Sequence, residues 1–174
     1  RLKSEIEHRL HARVVLTRDQ DRGLDARERA ETANRAHADV VLSLHFDGLP
    51  LSRAGGASAY CPPADARSNA QRLGGVGPGA VALLPWRDVA ARHAVESRAL
   101  AEALLSSLDL HGLGPTRLHE HLAYPQRGVN APGVMLECAM LTSAADRARV
   151  STAVGLDQLV QAIVEGLEAY QRNE

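Results

Sequence analysis

The chain has 174 residues, 45% apolar and 24% charged, with a formal net charge of −1. That is the composition and size of one globular domain with a proper core. A near-zero charge and 3% aromatic residues offer no general pull on phosphate backbones and no stacking platform, so nucleic acid is not an expected partner. No apolar stretch is long enough to span a bilayer.

The opening residues read as the later part of a helix ending near His11 or Ala12, because Leu2, Ile6 and Leu10 share one face. Val14-Val15-Leu16-Thr17 is a β-branched run and is predicted to be a strand. A polar turn, Arg18 to Gly23, leads to Asp25, which is placed to cap a helix running to about Ala36. Residues 39–45 follow as a strand whose continuous apolar character fits burial on both faces, as in a parallel sheet. It ends abruptly in His45 and Asp47.

Gly55-Gly56 opens a short alternating strand that ends near Tyr60. Residues 61–85, with Pro62-Pro63 and the glycines at 74–79, are predicted to be an irregular loop or lid. A long helix is expected from about Trp86 to Ser106, then a short strand from Leu118 to Ala123. Pro132 to Glu137 is a buried run that ends on a carboxylate. Ser143-Ala144-Ala145-Asp146 has capping-box spacing and opens a helix. The last helix carries Leu156, Leu159, Val160, Ile163, Leu167 and Tyr170 at helical spacing. Strands alternating with helices predict an α/β fold: one domain over 1–174, its mostly parallel sheet flanked by helices on both faces.

In open α/β sheets ligands bind beyond the carboxyl ends of strands. His45 and Glu137 both lie at such ends, which makes them the candidate site. His119-Glu120-His121 places two imidazoles on one strand face, but no third ligand accompanies them, and a solvated polar face is the preferred reading. His93 is expected to pack at a helix edge. Cys61 and Cys138 are read as two buried small side chains rather than a bridge. The glycine run lacks the lysine and hydroxyl of a phosphate loop. GxSxG is absent, so serine hydrolase chemistry has no support.

Several motifs, in order, resemble those of the zinc-dependent N-acetylmuramoyl-L-alanine amidases that cleave peptidoglycan. They are Val14-Val15-Leu16-Thr17-Arg18; Arg29 with Ala33-Asn34, Ala38-Asp39 and Ser43-Leu44-His45; Gly55 to Tyr60; Ser97 to Ala101; and Pro132 to Glu137 followed by Leu141, Ser143 and Asp146. The likeness covers nearly the whole chain except the loop after Tyr60. It implies an amidase/phosphorylase-like fold, extracytoplasmic action in the periplasm or cell wall, and peptidoglycan as the partner. It also implies that His45 is a zinc ligand and Glu137 the residue that assists catalysis.

The family's other two zinc ligands, a histidine and a glutamate, have no counterpart here. They lie in a first strand and at the start of the first helix, and the sequence begins inside that helix. Glu5 and Glu7 lie too close to the Val14 run to replace the glutamate. The expectation is therefore an N-terminally incomplete domain, without its first strand, that binds zinc weakly or not at all and is itself inactive. The alternative is a catalytically inactive module that binds peptidoglycan or a partner protein. Asp47, where the family often has asparagine, either orients the His45 ring or simply ends the strand.

Overall fold

The computed structural model describes residues 1–48, 55–64 and 85–173, apart from the Arg87 side chain. The expected loop or lid at 61–85 lies almost wholly outside the described residues. Five α-helices accompany four strands among the described residues: α1 (Leu2–Arg9), α2 (Ala26–Arg35), β1 (Val41–Asp47), β2 (Ala57–Cys61), α3 (Ala94–Leu110), β3 (Thr116–Glu120), β4 (Gly133–Met140), α4 (Ala144–Val150) and α5 (Ala153–Gln171). The sheet order is β1-β4-β2-β3. The β1–β4 and β2–β3 ladders are parallel and the β4–β2 ladder is antiparallel. The α/β layered architecture is as the sequence predicts, with one antiparallel junction at its centre.

Alternation along the strands divides the sheet into two faces. Val134, Leu136 and Cys138 of β4 and Ala57, Ala59 and Cys61 of β2 join Leu100, Leu104 and Leu108 of α3 and Ile163 and Leu167 of α5 in the main core. Leu2, Ile6 and Leu10 rest against this core, the shared face that the sequence shows. Gly166 lets α3 and α5 approach closely, because a Cβ there would lie 2.9 Å from the Leu104 Cα. On the other face a smaller cluster seats Ala30 of α2 against Val41, Val129 and Ala131.

Helix ends follow their capping residues. The Asp25 carboxylate accepts from the Glu28 N–H at 2.8 Å, and the Glu28 carboxylate accepts from the Asp25 N–H at 2.9 Å. This reciprocal pair satisfies two N-terminal donors of α2. Ser143 caps α4 by accepting from the Asp146 N–H, but Asp146 does not return the bond as a capping box would. It is buried, and its Oδ2 instead accepts from the N–H groups of Gly56 at 2.7 Å and Met140 at 3.1 Å. One carboxylate thus joins the start of β2, the end of β4 and α4. Gly56 has φ +87°, and a Cβ there would collide with the Pro115 carbonyl, so only glycine fits the turn.

Gln126 is a second buried polar clamp. Its Nε2 donates to the carbonyls of Tyr60 and Gly133, each at 2.9 Å, while its Oε1 accepts from the Ala123 N–H. Gly133 also donates to the buried Ser97 hydroxyl at 2.9 Å. The amide therefore continues the β2–β4 pairing past its last ladder bond.

Three predicted elements differ. The strand expected from Leu118 to Ala123 instead spans Thr116–Glu120. Val14–Thr17 forms no strand, and Val15 and Leu16 are 46% and 52% exposed. Strand propensity becomes a strand only where a backbone partner lies alongside, and no described strand pairs with this run; Val14 donates its N–H to the Glu7 carboxylate at 3.2 Å instead. The helix expected from Trp86 begins as a 3-10 helix over Trp86–His93 and becomes α-helical only at Ala94. Both cysteines are free and buried. Cys138 lies just past the Glu137–Ser58 pair and Cys61 just past the Tyr60–Met135 pair, so the thiols sit at opposite ends of one ladder. Burial is the main reason their pKa values rise, to about 11 for Cys61 and about 12 for Cys138.

Replacing Asp146 by Ala leaves two backbone donors without their acceptor, and should lower unfolding free energy by about 2–4 kcal/mol in a urea titration. A loss below about 0.5 kcal/mol, the range of ordinary surface changes, would show that the clamp contributes little.

Candidate active site

β1 and β4 pair in parallel with His45 opposite Glu137, and β4 pairs with β2 with Glu137 opposite Ser58. The two residues singled out from the sequence therefore stand side by side on adjacent strands. Just beyond, the register slips so that Asp47 pairs with Met140. This bulge ends regular pairing immediately past His45 and Glu137, a place where bulges commonly re-aim side chains at a site. The same sheet face carries Ser43 and Asp47 from β1 and Tyr60 from β2, each two residues from a member of the His45–Glu137–Ser58 rung.

His45 is partly buried, and its Nε2 lies 2.9 Å from the Ser43 hydroxyl. This bond comes from a residue two positions earlier on the same strand face, so one ring nitrogen is tied and the ring is oriented. Burial, and then the nearby positive charge of Arg29, push the imidazole pKa below its ordinary value. At neutral pH the ring is therefore uncharged, the form that can act as a ligand or acceptor.

Glu137 responds in the opposite sense. Burial, and then the charge of Asp47, hold its carboxyl above the usual carboxylate range. Its Oε2 is buried without a hydrogen-bond partner among the described residues. A partly desolvated carboxyl with an idle oxygen is suited to accept a proton from a bound reactant. The same two carboxylates, after burial, raise the Tyr60 phenol. Tyr60 stacks on His119, with ring centroids 4.7 Å apart and planes inclined at 17°.

The other candidates resolve simply. His119 packs on Tyr60, and Glu120 forms an ion pair with Arg98. His93 lies within hydrogen-bond distance, 3.2 Å, of the Asn130 side-chain oxygen. Asp47 lends its charge to Glu137 and Tyr60, an influence that no local sequence signal reveals. Arg29 was visible only as a motif residue; its closeness to His45 depends on how α2 packs.

A model of the N-acetylmuramoyl-L-alanine amidases, of the Amidase_3 type, matches residues 1–169. The chain belongs to this amidase family. LytC of Bacillus subtilis (strain 168), an N-acetylmuramoyl-L-alanine amidase, is 27% identical over 159 residues; the match covers 91% of this chain and 27% of LytC. The chain thus spans about a quarter of that curated relative's length. Solved amidases share its fold. The catalytic domain of CwlV from Bacillus (Paenibacillus) polymyxa var. colistinus has a TM-score of 0.70 at 19% identity, covering 99% of this chain and 82% of that one. The Clostridioides difficile CwlD amidase, solved in complex with the GerS lipoprotein, has a TM-score of 0.73 at 15% identity, covering 99% and 84%.

The donor set can be tested against the zinc that the family resemblance implies. Catalytic zinc takes three protein ligands and keeps an open position. Among the described residues no three His, Cys, Asp or Glu side chains group to hold a metal. His45 contributes one imidazole beside one carboxylate, so the described residues alone do not fit a zinc centre. Glu5 and Glu7 are no substitute; Glu7 is engaged by the Val14 N–H and lies 3.8 Å from the Lys3 ammonium. No helix among the described residues is long and apolar enough to cross a membrane.

The Glu137 carboxyl gives a stability prediction with a definite sign. Its folded pKa is raised, so the folded state favours the neutral form, and stability falls as pH rises through the carboxylate range towards the folded value. Glu137→Gln removes that loss. Its urea midpoint relative to the parent should rise between pH 3.5 and pH 7. A relative midpoint that falls over the same interval would mean that the ionised carboxylate stabilises the fold.

Proposed function

We propose that this domain hydrolyses the amide bond between N-acetylmuramic acid and L-alanine in peptidoglycan, with Glu137 moving the proton. The observation that carries the reading is the His45–Glu137 rung, where a neutral imidazole adjoins a carboxyl with raised pKa and an idle buried oxygen. Glu137 would take a proton from the attacking water and later return it to the leaving amine. A pKa raised by burial and by Asp47 makes the carboxylate a better base. Ser43 holds the His45 ring in place, and Asp47 keeps Glu137 basic.

In the same reading the reaction is zinc-dependent and His45 is one of the ligands. Zinc held there by His45 and two further donors would polarise the amide carbonyl and lower the pKa of water. Two donors besides His45 are required, and the described residues do not provide them. Action on peptidoglycan places the domain outside the cytoplasm, in the periplasm or cell wall.

That incomplete donor set favours a second reading for this chain: a catalytically inactive amidase-like module that binds peptidoglycan or a partner protein. Zinc content separates the two. In the enzyme reading the full-length gene product should hold stoichiometric zinc and digest cell walls. If the full-length product lacks zinc and leaves cell walls intact, the binding reading stands. Within the enzyme reading, Glu137→Gln in the complete product should abolish hydrolysis while leaving zinc content near the parent level. Digestion at the parent rate would remove Glu137 from the mechanism.

A further inference from the structure

Arg29 is a half-buried cation that the reaction scheme above leaves without a task. It lies on α2, which packs through Ala30 onto Val41 of β1. The five residues 36–40 between α2 and β1 turn the chain back, so the start of α2 lies towards the His45 end of the strand. The Arg29 side chain reaches farther that way. Its Nε donates to the Leu24 carbonyl, before the helix begins, at 3.2 Å. That bond fixes the plane of the guanidinium. The two Nη groups have no hydrogen-bond or ion-pair partner among the described residues.

A planar guanidinium anchored at Nε presents its remaining N–H groups as a fork that matches a carboxylate. The site is also electrically polar: Asp47 and Glu137 make one part anionic, and Arg29 supplies a positive charge on the α2 side. An anionic group on a bound ligand is repelled from the first and drawn to the second. We propose that Arg29 binds a carboxylate of the muramoyl-peptide ligand and so fixes the direction in which the ligand lies across His45 and Glu137. The proposal rests on the amidase-site reading above. It requires only binding, so it applies to this chain whether or not the chain is catalytic.

Two carboxylates have the required chemistry. One is carried by the peptide beyond the scissile amide. The other is the lactyl carboxylate of N-acetylmuramic acid, which exists only after cleavage. Calorimetric titration of the intact chain with three probes distinguishes them: N-acetylmuramic acid, N-acetylmuramoyl-L-alanine, and the C-terminal amide of the latter, which has no carboxylate. At low salt at least one carboxylate probe should bind the parent about ten-fold more tightly than the amide, as a charge-assisted paired contact would give. Arg29→Gln should erase that preference and leave amide binding within about two-fold, while Arg29→Lys, which keeps charge but loses the fork, should retain part of it.

The probe that shows the Arg29-dependent gain identifies the carboxylate. A parent that binds the amide as tightly as both carboxylates overturns the proposal without any variant, and so does a preference that survives in Arg29→Gln. If the parent binds none of the three, the amidase-site reading fails for this chain and the proposal fails with it. Binding of all three without dependence on Arg29 overturns the proposal alone.

Discussion

The parallel register between β1 and β4 determines what this domain can do. Parallel strands have no hairpin to fix their alignment, so side-chain burial must set it. Val134, Leu136 and Cys138 are committed to the core under α3 and α5. Their alternation forces Met135 and Glu137 to the other face. On β1, Val41 is held against Ala30 of α2, which puts Ser43, His45 and Asp47 on the Glu137 side. A one-residue slip of either strand would turn its ionisable residue into the apolar core or away from its neighbour. The position of the rung is thus secured by side chains committed to the core on the opposite face of the sheet.

Polar clamps complete what the apolar faces begin. Asp146 and Gln126 are both buried, and each joins segments that are far apart in sequence. Asp146 ties the exit of β4 to the turn entering β2, close to the bulge that follows Glu137. Gln126 ties the other end of the same two strands. The antiparallel β4–β2 junction is therefore held at both ends by side chains as well as by its own ladder. Each clamp is tolerable inside the protein because its bonding capacity is used on backbone groups that would otherwise be stranded.

Much of this was legible in the sequence where one signal acted alone. The runs ending in His45 and Glu137 are apolar for long enough to declare buried strands, and their abrupt ends mark the site. Asp25 and Ser143 declare helix starts. Val14–Thr17 has the composition of a strand, yet pairing requires a neighbour, and propensity carries no information about one. Asp146 has the spacing of a capping-box partner, but a tertiary demand from Gly56 and Met140 claims its carboxylate. The charges of Asp47 and Arg29 reach Glu137 and His45 through how β1, β4 and α2 come together, so no local pattern could reveal their influence. His45 and Glu137 come together because β1 and β4 pair in parallel, a tertiary outcome that periodicity alone does not reveal.

The two cysteines set how the domain withstands oxidation. Oxidants and disulfide partners react with the thiolate. Burial pushes the pKa up to about 12 for Cys138 and about 11 for Cys61, so both thiols stay protonated at neutral pH. Both are buried, at opposite ends of one ladder. Burial and protonation together make both sulfurs slow to react.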